Sequence, residues 1–373
     1  MTRSLSVLLC LLLAVSCARK PHVEVEDFGT LSAGAEARLF TMVNSGGNTL
    51  AVTDYGARMV SLCVPDRSGF SDDVIVGFGD LSSFEAGTGC YRFMGCVLGR
   101  YANRIKGPQI TIDGESYTLE CNECRQGIPV QLHGGAEGFD RHLWDAEILS
   151  EDTRCGVRFT RLSPDGEAGF PGNLQCSVTY WWTDDNVCDI VYEAVTDRTT
   201  VVNLSNHTYF NMKGSKAGYV MEHILMVDAD SCIFNSRQFV PEQILAVGGT
   251  PLDFRVPRRM DSMLEKEYGR KVMVGSWIIR NWDGSLRKIA DMYDPYGGRG
   301  VEIWSTEPNF ITEAGRSFDG TVEGKYGPIE KFDGMILETL HMADSPNQAR
   351  FPSTILRPGE KYRSQTRYRF YNR

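Results

Sequence analysis

Short runs of strand-forming residues, each closed by a turn cluster, recur from about residue 30 to the C-terminus. They leave room for little but a sheet protein. Val, Ile, Tyr, Phe, Trp and Thr concentrate in Thr49–Thr53, Gln109–Ile112, 156–161, 173–182 and 187–195. Between them stand Asp113-Gly114, Ser163-Pro164-Asp165-Gly166, Pro171-Gly172 and Thr183-Asp184-Asp185-Asn186. Asp-Gly between two strand-like runs favours a hairpin because both residues tolerate positive φ. The chain carries 38 glycines among 373 residues, as a turn-rich architecture requires. Helical signals are few, and 261–267 is the one short turn of helix expected. No segment repeats at a fixed period, and no Pro/Ser-rich linker divides the chain after residue 30. The expectation is all-β: one large antiparallel β-sandwich of about 340 residues with few short helices. A sandwich that long implies structured or functional insertions in its loops.

The first residues follow a different logic. Arg3 supplies a positive start, 5–15 is an apolar run too short to span a bilayer, and Ala14 and Ser16 precede Cys17. This pattern reads as an export signal. The cysteine directly after small residues resembles the lipobox of bacterial lipoproteins, in which that cysteine is lipidated. Residues 1–17 are therefore expected to be a lipoprotein-type signal, 18–26 a short tether, and 27–373 the folded domain. The expected location is the bacterial cell envelope, periplasmic or membrane-anchored, with Cys17 as the only membrane attachment; plain secretion is the alternative.

Net charge is −9, and no Lys/Arg block offers a footprint for phosphate backbones, so no nucleic-acid partner is expected. Eleven cysteines include Cys121 and Cys124 in a CxxC. No second CxxC or CxxH completes four ligands, so neither a metal nor any other cofactor is expected. The CxxC reads as a loop disulfide or two buried thiols.

Five segments carry groups able to do chemistry. Gly99-Arg100-Tyr101-Ala102-Asn103-Arg104-Ile105 holds two arginines and an asparagine in a glycine-led stretch. In Leu132-His133-Gly134-Gly135 two glycines let backbone approach a ligand closely. Asn203-Leu204-Ser205-Asn206-His207-Thr208-Tyr209-Phe210-Asn211 surrounds a second histidine with polar groups. Leu252-Asp253-Phe254-Arg255 places opposite charges in a loop. Ile336-Leu337-Glu338-Thr339 sets a carboxylate at the end of an apolar run. Burial there would raise the pKa of Glu338 and make it a stronger base. Each feature alone also has a plain structural reading: an inward charge paired with arginine, a satisfied core histidine, a salt-bridged guanidinium. His22, His142, His223 and His341 are read that way.

Taken together, in this order and at this spacing, the segments resemble the aldose 1-epimerase (galactose mutarotase) family. The resemblance runs from about residue 27 to the C-terminus. It also includes Phe139-Asp140 through Trp144-Asp145-Ala146, Gly169-Phe170-Pro171-Gly172-Asn173, Asp344-Ser345-Pro346-Asn347-Gln348 and Leu356-Arg357-Pro358-Gly359-Glu360. It implies a galactose-mutarotase-type β-sandwich with a concave sugar-holding face and an aldose such as glucose or galactose as substrate. The implied reaction is α/β anomer exchange by acid–base ring opening. By the same resemblance Glu338 is the general base at the C1 hydroxyl and His207 the general acid at the ring oxygen. His133, Asn103 and Arg104 hold the sugar. Asp253 is retained and is counted among the sugar-binding candidates, although its loop setting favours a structural role.

The sequence departs from that pattern at polar positions of the pocket. Ile279 stands where an aspartate is expected, and Ile311 where a glutamine is expected; Leu340 replaces a frequent glutamine. A buried hydroxyl without a partner costs about 1–3 kcal/mol, so the sugar preference is expected to be altered, with Arg280 or Glu313 as substitutes. Two other readings stay open. One is a non-catalytic sugar-binding lipoprotein; the other is a glycoside hydrolase or lyase, which would need a second carboxylate, Glu313 being the nearby candidate.

Overall fold

The computed structural model describes residues 19–215, 218–236, 239–264 and 274–373; the export segment with Cys17 lies outside them. The strands expected from the sequence form where the turn chemistry puts them. Gln109–Ile112 and Glu115–Thr118 pair with Ile112 opposite Glu115. Asp113 and Gly114 between them both have positive φ, 51° and 88°, which is the backbone a two-residue hairpin requires. One α-helix occurs among the described residues, Leu81–Ala86, capped by the Asp80 side chain. The helical turn expected at 261–267 is a 3₁₀ turn, Met260–Leu264, and the remainder lies outside the described residues.

Two antiparallel sheets form the sandwich. One has nine strands, with Arg154–Ser163, Leu174–Thr183, Val187–Thr196 and Tyr362–Asn372 as long neighbours. The other has seven, including Val274–Ile278, Asn309–Glu313 and Met335–Leu340 in adjacent positions. Alternate side chains of the first sheet, among them Phe159, Tyr180, Tyr192 and Tyr368, share one core with Trp277, Phe310 and Leu337 of the second. Phe210 and Tyr368 touch across the two layers, with ring centroids 5.2 Å apart. Each such fully buried side chain stabilises the fold by roughly 1.5–3 kcal/mol before entropy is counted.

A five-stranded sheet runs in chain order from His22–Thr30 to Ser71–Asp73 and adds Phe40, Leu50 and Leu62 to the same core. The expected tether is thereby shortened. Residues 22–26 are already edge strand, paired with Glu36–Val43, because a polar segment can pair through its backbone while its side chains stay in water.

Cys121 and Cys124 are exposed free thiols rather than buried ones. They lie in a loop and a short edge strand, where no core exists to cover them.

The period of two along the seven-stranded sheet decides what faces outward from the sandwich. Gly275, Trp277, Phe310, Met335 and Leu337 point into the core side. The alternate residues form ladders on the other face: Val274, Glu313 and Ile336 in one row, Ser276, Ile311 and Glu338 in the next. Glu338 is thus carried on a strand whose every residue is buried, on the face away from the sandwich core.

Candidate active site

A cleft of about 410 Å³ opens above that outer face, and Glu338, Ile311, Ile336 and Val274 form part of its lining. Tyr209 pairs with Ile336. Continuing that register by two residues brings His207 level with Glu338, on the side opposite Ile311. The polar residues around His207 turn out to be scaffolding. Asn203 donates to the carbonyls of Ala102 and His341, Ser205 to that of Thr339, and Asn206 to that of Gly95 and to the Tyr180 hydroxyl. Backbone bonds from His207 to Cys96 and from Gly95 to His207 complete the hold. The loop is pinned by side chains so that the histidine itself stays unengaged at Nδ1.

The opposite wall is a three-stranded sheet, Glu123–Arg125, Ile128–Leu132 and Arg104–Lys106. His133 follows its middle strand with φ +52°. Its backbone N–H donates to the Asn103 carbonyl, and its Nδ1 accepts the Asn103 backbone N–H at 3.0 Å. Because a backbone amide can only donate, a neutral His133 must carry its proton on Nε2. Gly134 is required here: φ is +89°, and a Cβ would come within 1.9 Å of the Gly99 carbonyl oxygen.

Burial sets the electrostatics. Desolvation pushes the Glu338 carboxyl up to about 8, with the nearby Glu313 charge adding to the rise and Arg104 opposing it. Desolvation drives His207 down to about 4 and His133 well below the ordinary histidine range. Glu338 Oε1 and His207 Nδ1 are both buried and have no hydrogen-bond partner among the described residues. The His133 and His207 rings meet edge to face at 5.3 Å, with Phe93 against both at 4.7 and 6.0 Å. These are groups able to accept or release a proton beside an apolar wall. No cluster of metal-ligating side chains occurs among the described residues.

Five of the six candidate residues come together in the cleft: Glu338, His207, His133, Asn103 and Arg104. Arg104 is held by Glu123 through bonds of 2.6 and 3.1 Å. Asp253 does not join them. It faces its own loop and is clamped by Arg255 at 2.7 and 2.8 Å, since a carboxylate two residues from an arginine finds that partner first. Ile279 is also corrected. It belongs to the sandwich core, one residue past the strand Val274–Ile278, whose Val274 lines the cleft instead. Residues 274 and 279 differ in parity, and parity decides the face.

Ile311 does line the cleft, directly opposite Glu338 in the strand register. Of the two substitutes considered, Arg280 is engaged outside the cleft by Asp228 and Asp230. Glu313 lines it and accepts bonds from Tyr209 and from the backbone of Gly315 and Arg316.

Sequence reasoning missed Glu123, Arg125, Arg316 and Phe239, which also line the cleft. Glu123 stood inside the CxxC and was passed over with it. Arg100, singled out beside Asn103, is structural. It is buried and bonded to Ser163 and to the carbonyls of Pro164, Pro171 and Gly172. His223 is likewise satisfied on both ring nitrogens.

Comparison with known proteins places this geometry. The Aldose 1-epimerase family profile matches residues 38–369. The galactose mutarotase of Rattus norvegicus is 34% identical over 353 residues, covering 92% of this chain and 97% of its own length. The aldose 1-epimerase of Escherichia coli K12 is 33% identical over 347 residues, covering 90% and 96%. Among solved structures, the galactose 1-epimerase of Lactobacillus acidophilus NCFM superposes with a TM-score of 0.81 at 23% identity, over 94% of this chain and 99% of that one. A GalM/aldose epimerase homologue from C. elegans gives 0.76 at 25% identity, over 87% and 96%. The chain belongs to the aldose 1-epimerase family.

Proposed function

We propose that this protein is an isomerase interconverting the α and β anomers of an aldose, with Glu338 and His207 as its proton-transfer pair. The observation that carries the reading is the two unpartnered atoms, Glu338 Oε1 and His207 Nδ1, buried in one cleft. Their displaced pKa values, about 8 and about 4, leave the pair with one proton across neutral pH. One proton is what the reaction uses. Glu338 takes the proton of the C1 hydroxyl while His207 gives one to the ring oxygen. The bond from C1 to the ring oxygen breaks, and C1 becomes an aldehyde. Rotation about C1–C2 followed by the reverse transfers closes the other anomer. In the free protein burial holds the shared proton on Glu338. A C1 hydroxyl donating to Oε1 offsets that desolvation and favours the carboxylate. His133, with its proton on Nε2, and Asn103 supply polar contacts to the sugar.

Polarimetry or NMR of freshly dissolved α-glucose and α-galactose tests this. Acceleration over buffer that disappears in Glu338→Gln supports the reading. No acceleration with any aldose would leave a sugar-binding protein, and reducing ends released from an oligosaccharide would indicate a hydrolase.

We further propose that Cys17 is lipidated and tethers the domain to the bacterial envelope. The support is the sequence around Cys17 alone, and no helix among the described residues is long and apolar enough to cross a membrane. Cys17→Ser should then move the protein from the membrane to the soluble fraction; unchanged partitioning would remove the anchor.

A further inference from the structure

The cleft combines an apolar strand surface around Glu338 with a group of arginines in the same lining. Around Glu338 the sheet contributes Ile311, Ile336 and Val274, none able to bond a sugar hydroxyl. Arg104, Arg125 and Arg316, all of which line the cleft, gather around a single aromatic ring, Phe239. Their guanidinium carbons lie 5.1, 5.2 and 5.2 Å from its centroid. No two of them can therefore be further apart than about 10 Å, twice the longer distance.

Among the described residues, the anions bonded to this group do not neutralise it. Glu123 is bonded to both Arg104 and Arg125, at 2.6 Å in each case, so one carboxylate serves two cations. The carboxylate nearest Arg316 is Glu313 at 3.6 Å. That group already accepts bonds from Tyr209 and from two backbone N–H groups. Arg125 and Arg316 remain 44% and 30% exposed at their side chains, toward the cleft they line. An excess of arginine beside a ligand cleft, in a chain of net charge −9, matches the planar, bidentate demands of a carboxylate or phosphate.

We propose that this cleft takes an aldose bearing an anionic group, a uronate carboxylate or a phosphate ester, seated between Arg125 and Arg316. The proposal rests on the anomerase reading for its rate test and on ligand binding for a separate one. The anion supplies, through charge, the hold that Ile311 and Val274 do not give to hydroxyls.

The experiment compares kcat/KM for galactose, galacturonate, glucose, glucuronate and glucose 6-phosphate at fixed ionic strength, by NMR exchange. It uses the intact domain and its Arg316→Gln, Arg316→Lys and Arg125→Gln variants. Tenfold or greater preference for an anionic sugar over its neutral parent is expected, mainly through KM and weakening with added salt. Either glutamine variant should reduce that ratio at least fivefold, while Arg316→Lys keeps part of it. Preference for the uronates or for the phosphate identifies which anion is meant. Equal kcat/KM for neutral and anionic sugars would overturn the proposal. Calorimetric Kd values for galacturonate and galactose separate the two readings. If no sugar is turned over but galacturonate binds tighter, the anionic site stands and the anomerase reading falls; equal affinities remove the site.

Discussion

Asp140, behind one wall of the cleft, and Glu338, on its sheet face, are buried alike, at 1% and 2% exposure. Their surroundings differ completely. Arg92 grips Asp140 with two bonds, 2.7 and 2.9 Å, and spends a further donor on the Ala136 carbonyl. Among the described residues, Glu338 has no cation bonded to it and its Oε1 has no partner. Burial raises the cost of a charge in both places; at Asp140 the protein supplies the counter-charge, and at Glu338 it leaves the work to a ligand. The pair shows how one fold locks one buried carboxylate with a cation and leaves another buried carboxyl holding its proton up to about pH 8.

The strongest way to break this contrast is Glu338→Gln. The variant should lose anomerase activity by about 10³–10⁴-fold while folding normally. It should also gain stability. Glu338 binds a proton in the folded state up to about pH 8, whereas an unfolded glutamate releases it near its ordinary value. Its contribution to stability therefore falls as pH rises between those values. The variant should melt above the parent at pH 8, with the gain shrinking toward pH 5. An equal or lower melting temperature at pH 8 would mean that Glu338 is not strained by burial.

Asp140→Ala should do the reverse. It strands Arg92 and should cost about 3–5 kcal/mol of stability, read by denaturant unfolding, because the counter-charge there is structural. His207→Asn should lower kcat by roughly 10²-fold with little change in KM; a loss confined to KM would reassign His207 to binding. The pH profile of kcat/KM sharpens the same point. A pair needing one proton should be active between about pH 4 and about pH 8. It should fall below, where both are protonated, and above, where neither is. Smallest in effect, Ile311→Gln should place an amide beside Glu338, improve neutral hexose affinity by about tenfold or less, and move the basic limb downward. An unmoved limb would show that Ile311 does not tune the base.

Much of this was legible in the sequence because sheets obey local rules. Asp113-Gly114 marked its hairpin, and the apolar run before Glu338 marked a buried strand. The order of the five segments brought Glu338, His207, His133, Asn103 and Arg104 to one cleft. What failed was whatever depended on register or on distant loops. Ile279 was placed at the pocket because a run of strand residues does not announce its parity, and Val274 takes that position instead. Asp253, counted among the sugar-binding candidates although its loop setting favoured a structural role, is held by its arginine neighbour. The ring of arginines around Phe239 comes from three separate segments, 104, 125 and 316, and no spacing along the chain foretells that they meet.

The strand Tyr362–Asn372 has a consequence for assembly in time. It fills a central place in the nine-stranded sheet, between Val187–Thr196 and Arg299–Ser305. It also backs the glutamate's own strand, with the Tyr368 hydroxyl donating to the Leu337 carbonyl and Thr366 bonded to Thr339. Nearly the whole chain must leave the ribosome before either sheet can close. Pairings of such long sequence separation make folding slow, and the unclosed edges stay exposed to aggregation meanwhile. A chain shortened by a dozen residues would lose the strand that backs the cleft, although Glu338, His207, His133, Asn103 and Arg104 would all still be present.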